Sequence, residues 1–170
     1  VSVVVIGGGI IGVSTALFLA EKGISVALCE KGRIGGEQSS RDWGWCRTMG
    51  RDIGEVPLAI ESLRLWRGMN ERTGRETGYR EPGIMYLCET EKDVATQEAW
   101  LDQARLYQVD ARLVRGADLD SVLPGASGRF VAGLHTPSDG RAEPSQAAPA
   151  IAEAARDRGA LIFTGCAVRG

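Results

Sequence analysis

A glycine-rich turn between an apolar run and an apolar helical pattern constrains the fold of this chain more than any other feature. Residues 1–6 form a nearly continuous β-branched run, typical of a parallel strand buried on both faces. Gly7, Gly9 and Gly12 follow at once in the pattern G-x-G-x-x-G. A helix is predicted over 11–22 because its apolar residues recur on one face. Those residues are Val13, Ala16, Leu17 and Ala20.

An acidic residue completes the pattern. A second strand is predicted over 24–28, and Glu30 follows it, 18 positions after Gly12. Strand, turn, helix, strand and acid in this order predict a dinucleotide-binding βαβ unit. Gly7 allows the sharp turn, Gly9 leaves room for a pyrophosphate, and Gly12 permits close packing of the helix. Glu30 would accept hydrogen bonds from ribose hydroxyls, and its charge disfavours NADP.

Composition excludes several classes of function. Lys and Arg number 20 and Asp and Glu 22, so a net charge of -2 leaves no basic footprint for nucleic acid. No apolar run is long enough to span a bilayer, and the opening stretch lacks a signal-peptide pattern. We therefore expect a cytoplasmic protein. Four scattered cysteines and a single histidine, His135, indicate neither a metal site nor disulfides.

The segment after Glu30 favours FAD over NAD. Residues 31–51 form a polar, glycine-rich stretch with two tryptophans instead of another helix. A flavin nucleotide needs hydroxyl and backbone donors along its ribityl chain and an apolar surface near its ring. This stretch supplies both, and a nicotinamide-binding fold would leave it unexplained.

These residues resemble a known family. Val-Ile-Gly-Gly-Gly-Ile-Ile-Gly at 5–12, Glu30-Lys31 and Gly-x-x-Ser-Ser-Arg-x-x-Gly at 36–44 are similar to the amino-terminal part of the FAD-dependent D-amino acid oxidase superfamily. That superfamily includes glycine oxidase, sarcosine oxidase and D-amino acid dehydrogenases. A weaker similarity extends to Gly-x-x-Glu-Pro at 140–144. The resemblance implies oxidation of the C–N bond of an amino acid or secondary amine by hydride transfer to flavin.

The resemblance also implies site residues. Asp42 stands where many members have Asn, which puts an amide contact there in question, and we assign no catalytic residue. Arg47 and Arg51 are candidates for binding a substrate carboxylate, since a guanidinium can hold it through two bonds. The pyrophosphate would lie beside Gly7, Gly9, Ile10, Ile11 and Gly12, the adenosine ribose beside Glu30 and Lys31, the ribityl chain beside Gln38, Ser39, Ser40 and Arg41, and the flavin ring beside Trp43, Gly44 and Trp45.

The whole sequence predicts an α/β fold. A Rossmann-like FAD-binding βαβ unit with a parallel sheet is interrupted by the start of an α+β substrate domain. We assign 1–44 and 141–170 to an incomplete FAD-binding portion and 45–140 to linking helices and a partial substrate domain. His135 is predicted to be structural or solvent-facing, and Trp66, Trp100 and Tyr107 to pack in cores. Helices are predicted over 56–73 and 90–108, strands over 83–88 and 129–136, and a third parallel strand over 160–167, after an alanine-rich helix.

Three parallel strands and part of an inserted sheet cannot enclose a molecule as long as FAD. We therefore expect this chain to be a fragment, a truncated product or one piece of a larger assembly, completed by a carboxyl-terminal half or a partner subunit. Two alternatives stay open: an NAD-binding dehydrogenase fragment and a non-catalytic nucleotide-binding subunit.

Overall fold

The computed structural model describes residues 1–169; Gly170, the last residue of the predicted FAD-binding portion, lies outside the described residues. The chain divides into two compact units. Unit 1 contains Val1–Trp45, Leu65–Arg80 and the described residues from Arg141 onward, and unit 2 contains Cys46–Arg64 and Glu81–Gly140.

The described residues form eight short strands and six α-helices. The strands are β1 (Val3–Ile6), β2 (Val26–Cys29), β3 (Trp45–Cys46), β4 (Ile84–Cys88), β5 (Arg112–Val114), β6 (Ala132–Thr136), β7 (Gly140–Arg141) and β8 (Leu161–Phe163). The helices are α1 (Ile10–Glu21), α2 (Val56–Arg67), α3 (Met69–Thr73), α4 (Glu91–Ala104), α5 (Gly116–Val122) and α6 (Pro144–Asp157).

Unit 1 is built on a parallel sheet in the order β1-β2-β8. Leu28 is the partner of Val5 on one side and of Ile162 on the other. The predicted third parallel strand is therefore confirmed, although it is shorter than the predicted 160–167. Helices α1 and α6 pack together with one face of the sheet, where Leu17, Leu28 and Ile151 are fully buried. Alanines on α6 allow this close packing, since they add little side-chain volume between the helices.

The opposite face of the same sheet is apolar and exposed. Val4 and Ile6 of β1 are 56% and 70% exposed, and Leu161 and Phe163 of β8 are 50% and 47% exposed. The register aligns Ile6, Cys29 and Phe163 across the three strands. Parallel sheets in proteins are normally covered on both faces. This face is therefore a surface on which further protein could pack.

The helix predicted over 56–73 is two helices separated at Gly68, so the prediction of one continuous helix is wrong. Gly68 has φ -97° and ψ 4°, so α2 ends and α3 begins at this residue. Glycine is a poor helix former, which favours an interruption at this residue. Trp66 and Met69 pack in the core of unit 1, which explains why Leu65–Arg80 belongs to that unit. The predicted domain assignment of 45–140 remains a prediction.

Unit 2 contains an antiparallel sheet in the order β4-β6-β5. The predicted strands over 83–88 and 129–136 correspond to β4 and β6, although β6 begins three residues later than expected. The capping box of Thr90 and Asp93 is present at the start of α4. Strand β5 and helix α5 were not predicted, because three and seven residues are too short to give a clear periodic pattern. No helix among residues 1–169 is long and apolar enough to cross a membrane.

A buried carboxylate joins two distant segments of unit 2. Asp139 has no exposed surface and accepts hydrogen bonds from Thr48 N at 2.7 Å, Thr48 Oγ1 at 2.9 Å and Met49 N at 3.0 Å. Burial raises the pKa of Asp139, and these hydrogen bonds oppose the rise. The contact fixes the segment after β3 against the segment before β7.

We expect Asp139→Asn to lower the free energy of unfolding by about 1–3 kcal/mol, because the new amide would turn a second donor toward a buried backbone N–H. Asp118→Asn, at an exposed position of α5, is the matched control and should change the free energy of unfolding by less than about 0.5 kcal/mol. Urea unfolding of both variants measures the difference, and equal stability of the two would contradict the structural role of Asp139.

Candidate functional site

The glycine turn after β1 is tightly folded against the first residues of α1. Gly7 has φ +105°, a backbone conformation that L side chains rarely adopt, and its N–H donates to Cys29 O at 2.8 Å. A Cβ on Gly12 would overlap the carbonyl oxygen of Gly7 far inside van der Waals contact. The predicted close approach at Gly12 is therefore made to the turn itself as well as to Val5 in the sheet.

Gly8, which the sequence analysis did not single out, is as constrained as its neighbours. A Cβ on Gly8 would lie 2.7 Å from Ile34 Cδ1 and 3.0 Å from Glu30 Cβ. A Cβ on Gly9 would lie 3.1 Å from Ser39 Oγ. The available signal was the run of three consecutive glycines, of which the motif accounts for only two.

Glu30 lies immediately after β2 and binds the glycine turn. Its Oε2 accepts a hydrogen bond from Gly8 N at 2.7 Å, and its Oε1 accepts one from Gly32 N at 2.6 Å. The residue is only 8% exposed. The hydrogen bonds from Gly32 and Gly8 lower the pKa of Glu30, so the carboxylate is charged at neutral pH. Each oxygen has a further lone pair that can accept a hydroxyl donor.

The amino-terminal end of α1 has the properties of an anion site. The first N–H groups of any helix lack acceptors within the helix, and the helix dipole is positive at this end. Gly9 caps α1 without a side-chain hydrogen bond, and Ile10 N donates to Ser39 Oγ at 2.9 Å. Backbone amides beside side-chain-free glycines fit a diphosphate, and the adjacent Glu30 fits a ribose. The residues present therefore fit a dinucleotide.

The loop after Glu30 contains charged residues that are paired on the surface. Glu37 lies 3.6 Å from Lys31 and 3.0 Å from Arg41, measured between the charged atoms. Gln38–Ser40 forms one turn of 3-10 helix, and Ser40 Oγ donates to Glu37 O at 3.0 Å. Exposed ion pairs contribute little to stability and are easily exchanged. Glu37 was not among the predicted site residues, although it partners two of them.

Asp42 and Gly44 shape the tryptophan segment. Asp42 Oδ1 accepts a hydrogen bond from Gly44 N at 2.6 Å, so the side chain present here stabilises a turn. Gly44 has φ +68°, and a Cβ there would overlap Ala142 O. The rings of Trp43 and Trp45 are 5.1 Å apart between centroids and tilted by 58°. Trp43 is 77% exposed, so the pair presents apolar surface to solvent.

The two candidate substrate arginines lie in unit 2 and differ in their surroundings. The guanidinium of Arg47 donates from Nη1 to Met49 O and lies 5.7 Å from the ring centroid of Tyr86. A cation above an aromatic face is held in orientation. Arg51 lies on the surface with its Nη1 3.9 Å from Glu55 Oε2. Arg47 is therefore the better ordered of the two.

His135 lies in the central strand β6 and is 8% exposed. Of the two predicted roles, structural or solvent-facing, the structural one is therefore observed. Burial lowers the pKa of His135, and nearby Arg112 adds to this effect. Within the described part of the chain, Nδ1 of His135 has no hydrogen-bond partner. No group of three or more His, Cys, Asp or Glu residues among the described ones is arranged to hold a metal ion.

A strand, a glycine turn against a helix and an acid at the end of the next strand define an α/β nucleotide-binding protein. Comparison with known proteins identifies the family within this class. Residues 2–170 match the family described as FAD dependent oxidoreductase, abbreviated DAO. The chain belongs to this family, and the NAD-binding alternative is set aside because the family is FAD-dependent.

The similar proteins are longer than this chain. L-amino acid deaminase from Proteus myxofaciens, solved in complex with anthranilate, superimposes with a TM-score of 0.93 at 35% identity over 99% of this chain and 39% of that chain. Dimethylglycine dehydrogenase from Homo sapiens is 28% identical over 94% of this chain and 19% of the relative. Glycine oxidase from Geobacillus kaustophilus is 28% identical over 95% of this chain and 45% of the relative. The chain thus spans less than half of each.

We expect Gly12→Ala to destabilise unit 1 by about 1–3 kcal/mol, because the added methyl group overlaps the Gly7 carbonyl. Without that overlap, alanine would stabilise a helix by about 1 kcal/mol relative to glycine. Gly128→Ala is the control, since no atom lies within 4 Å of its added Cβ. Chemical unfolding compares the variants, and equal stability would show that the turn and α1 are not in close contact.

We expect the stability contributed by Glu30 to depend on pH. Its pKa is lowered in the folded state, so its contribution is present above the ordinary Glu pKa of about 4.3 and is lost as pH falls through the lowered value. The difference in unfolding free energy between the wild type and Glu30→Gln should shrink from pH 7 to pH 3. Glu98→Gln, at an exposed position, should show no such change. A pH-independent difference for Glu30→Gln would rule out the two hydrogen bonds.

Proposed function

We propose that this chain provides the adenosine-diphosphate site of an enzyme that oxidises the C–N bond of an amino acid or secondary amine. The observation that carries the proposal is the hydrogen bond between Gly8 N and Glu30, which joins the glycine turn to the acid at the end of β2. When bound, FAD supplies the acceptor for the hydride. The relatives are named for amino acid and amine substrates, which supports the substrate class.

The pyrophosphate is proposed to lie across Gly7, Gly9 and Gly12, with Ile10 and Ile11 offering the first amides of α1. Ser39 already reaches this end of α1 through its hydrogen bond with Ile10 N. Gln38, Ser40 and Arg41 would follow the diphosphate toward the ribityl chain, since they belong to the same turn. The backbone here can approach phosphate oxygens without interference from side chains at the glycines.

The adenosine ribose is proposed to bind Glu30, with Lys31 beside it. The carboxylate is charged, held in place by two backbone N–H groups, and retains lone pairs for hydroxyl donors. Its charge would oppose a 2′-phosphate. Trp43, Gly44 and Trp45 are proposed to border the flavin ring, because the tilted tryptophan pair offers apolar surface and the turn at Gly44 fixes the backbone between them.

Arg47 is proposed to bind the substrate carboxylate, with Arg51 as the weaker candidate. The guanidinium of Arg47 is oriented by Met49 O and the Tyr86 ring, so less conformational freedom is lost when it binds an anion. Oxidation would remove a hydride, which carries two electrons, from the substrate carbon and leave a protonated imine that water hydrolyses. A neutral amine needs no general base for this step, so we assign none.

The compartment and the partners are further predictions. The exposed apolar face of the β1-β2-β8 sheet supports the proposal that additional protein packs there, from a carboxyl-terminal half or from a partner subunit. The cytoplasmic location stays a prediction, and several relatives are named as mitochondrial. A non-catalytic nucleotide-binding subunit is the alternative outcome of the experiment below.

We expect the full-length gene product to release FAD, identified by absorbance and mass after acid treatment. Turnover should appear with D- or L-amino acids, N-methyl amino acids or related amines. A protein that stays colourless after reconstitution with FAD would contradict the cofactor assignment. Bound FAD without turnover of any substrate in this panel would favour the non-catalytic subunit.

Arg47→Lys should raise KM for amino acid substrates about tenfold or more, because a bidentate charged pair is replaced by a single point charge. The conservative control Arg51→Lys should raise KM less. An amine substrate without a carboxylate should show no change with Arg47→Lys. Steady-state kinetics separates KM from kcat, and an equal rise for the carboxylate-free amine would contradict the role of Arg47.

A further inference from the structure

Two thiols meet at the carboxyl end of the parallel sheet of unit 1. Cys29 ends β2 and is the register partner of Phe163 in β8. Glu30 N donates to Phe163 O at 2.8 Å, and Cys166 N donates to Glu30 O at 2.9 Å. These hydrogen bonds hold the chain after β8 alongside the residues that follow β2. The backbone of Cys166 is thereby hydrogen-bonded to Glu30, the residue that follows Cys29.

The side chains complete this arrangement. The thiols of Cys29 and Cys166 are close enough to interact electrostatically, and both residues are half-buried and reduced. Burial raises the pKa of the Cys29 thiol, and the Cys166 thiol adds to the rise. Cys88, by comparison, is fully buried in unit 2. In residues 1–169 the two neighbouring thiols are partly accessible to a small solute.

We propose that Cys29 and Cys166 form a modification site for peroxide, which converts the dithiol into a disulfide. One sulfur attacks a peroxide oxygen, giving a sulfenic acid and releasing water. The second sulfur displaces the hydroxyl from the first, forming the S–S bond and releasing a second water. The two thiols lose two electrons and two protons, and one hydrogen peroxide is reduced to two waters.

The geometry favours pairing within the chain over further oxidation of either sulfur. The two cysteines lie on adjacent segments joined by backbone hydrogen bonds, and their thiols interact, so an S–S bond of about 2.05 Å would join side chains that are already neighbours. The bond would link the segments on both sides of Glu30. The inference does not depend on flavin binding, because it uses only residues of unit 1 and an external oxidant.

The test is peptide mapping of the full-length gene product, reduced, diluted and treated with hydrogen peroxide before the remaining thiols are alkylated. We expect a linked peptide pair containing Cys29 and Cys166, which dithiothreitol removes. Recovery of both cysteines as alkylated thiols or as separate sulfinic acids would overturn the proposal. A link from either one to Cys46, Cys88 or another chain would do the same.

Matched variants make the assignment specific. Cys46→Ser should retain the linked peptide, whereas Cys29→Ser should abolish it and leave Cys166 as a sulfenic acid that dimedone traps. If Cys29→Ser fails to fold, the wild-type map still decides. FAD content measured on the same samples reports separately on the proposed function, so failure of one inference is distinguishable from failure of the other.

Discussion

The close approach of α1 to the glycine turn is the constraint on which the proposed nucleotide site of unit 1 depends. Gly12 lets the helix lie against the Gly7 carbonyl, and Gly8 lets the turn lie against Glu30 and Ile34. A side chain at Gly12 would push the helix away from the turn, and one at Gly8 would displace Ile34 and Glu30. With the helix displaced, its amino-terminal amides would no longer converge beside the acid that ends β2. The glycines that allow this backbone packing are therefore the same ones that the proposed ligand site requires.

The site residues are organised by backbone hydrogen bonds more than by side-chain pairs. Glu30 is fixed by Gly8 and Gly32, Ser39 by Ile10, and Asp42 by Gly44. The salt bridges of the same loop lie on the surface and contribute little to stability. A site made of backbone amides can bind a diphosphate, a group that many cofactors share, without depending on particular side chains. Substrate choice then falls to other elements, and Arg47 in unit 2 is our candidate for one of them.

The sequence predicted the parts of the fold that rest on local patterns. The βαβ unit and the strands β4 and β6 were confirmed because periodicity and turn residues determine them within short windows. The break at Gly68 was missed because the apolar spacing continues across it from Trp66 to Met69. Those two residues pack in the core of unit 1, a requirement that no local pattern records.

The sequence by itself determined the glycine turn, the acid after β2 and the family, since each depends on residue identity at fixed spacing. Only the tertiary structure decided that β8 joins β2, that Asp139 binds Thr48 and Met49, and that Cys166 lies beside Cys29. These contacts join residues about 90 or more positions apart. Such pairs form because burial and the remaining unpaired hydrogen-bonding groups favour them once local structure is in place. Neither factor can be read from the order of the residues.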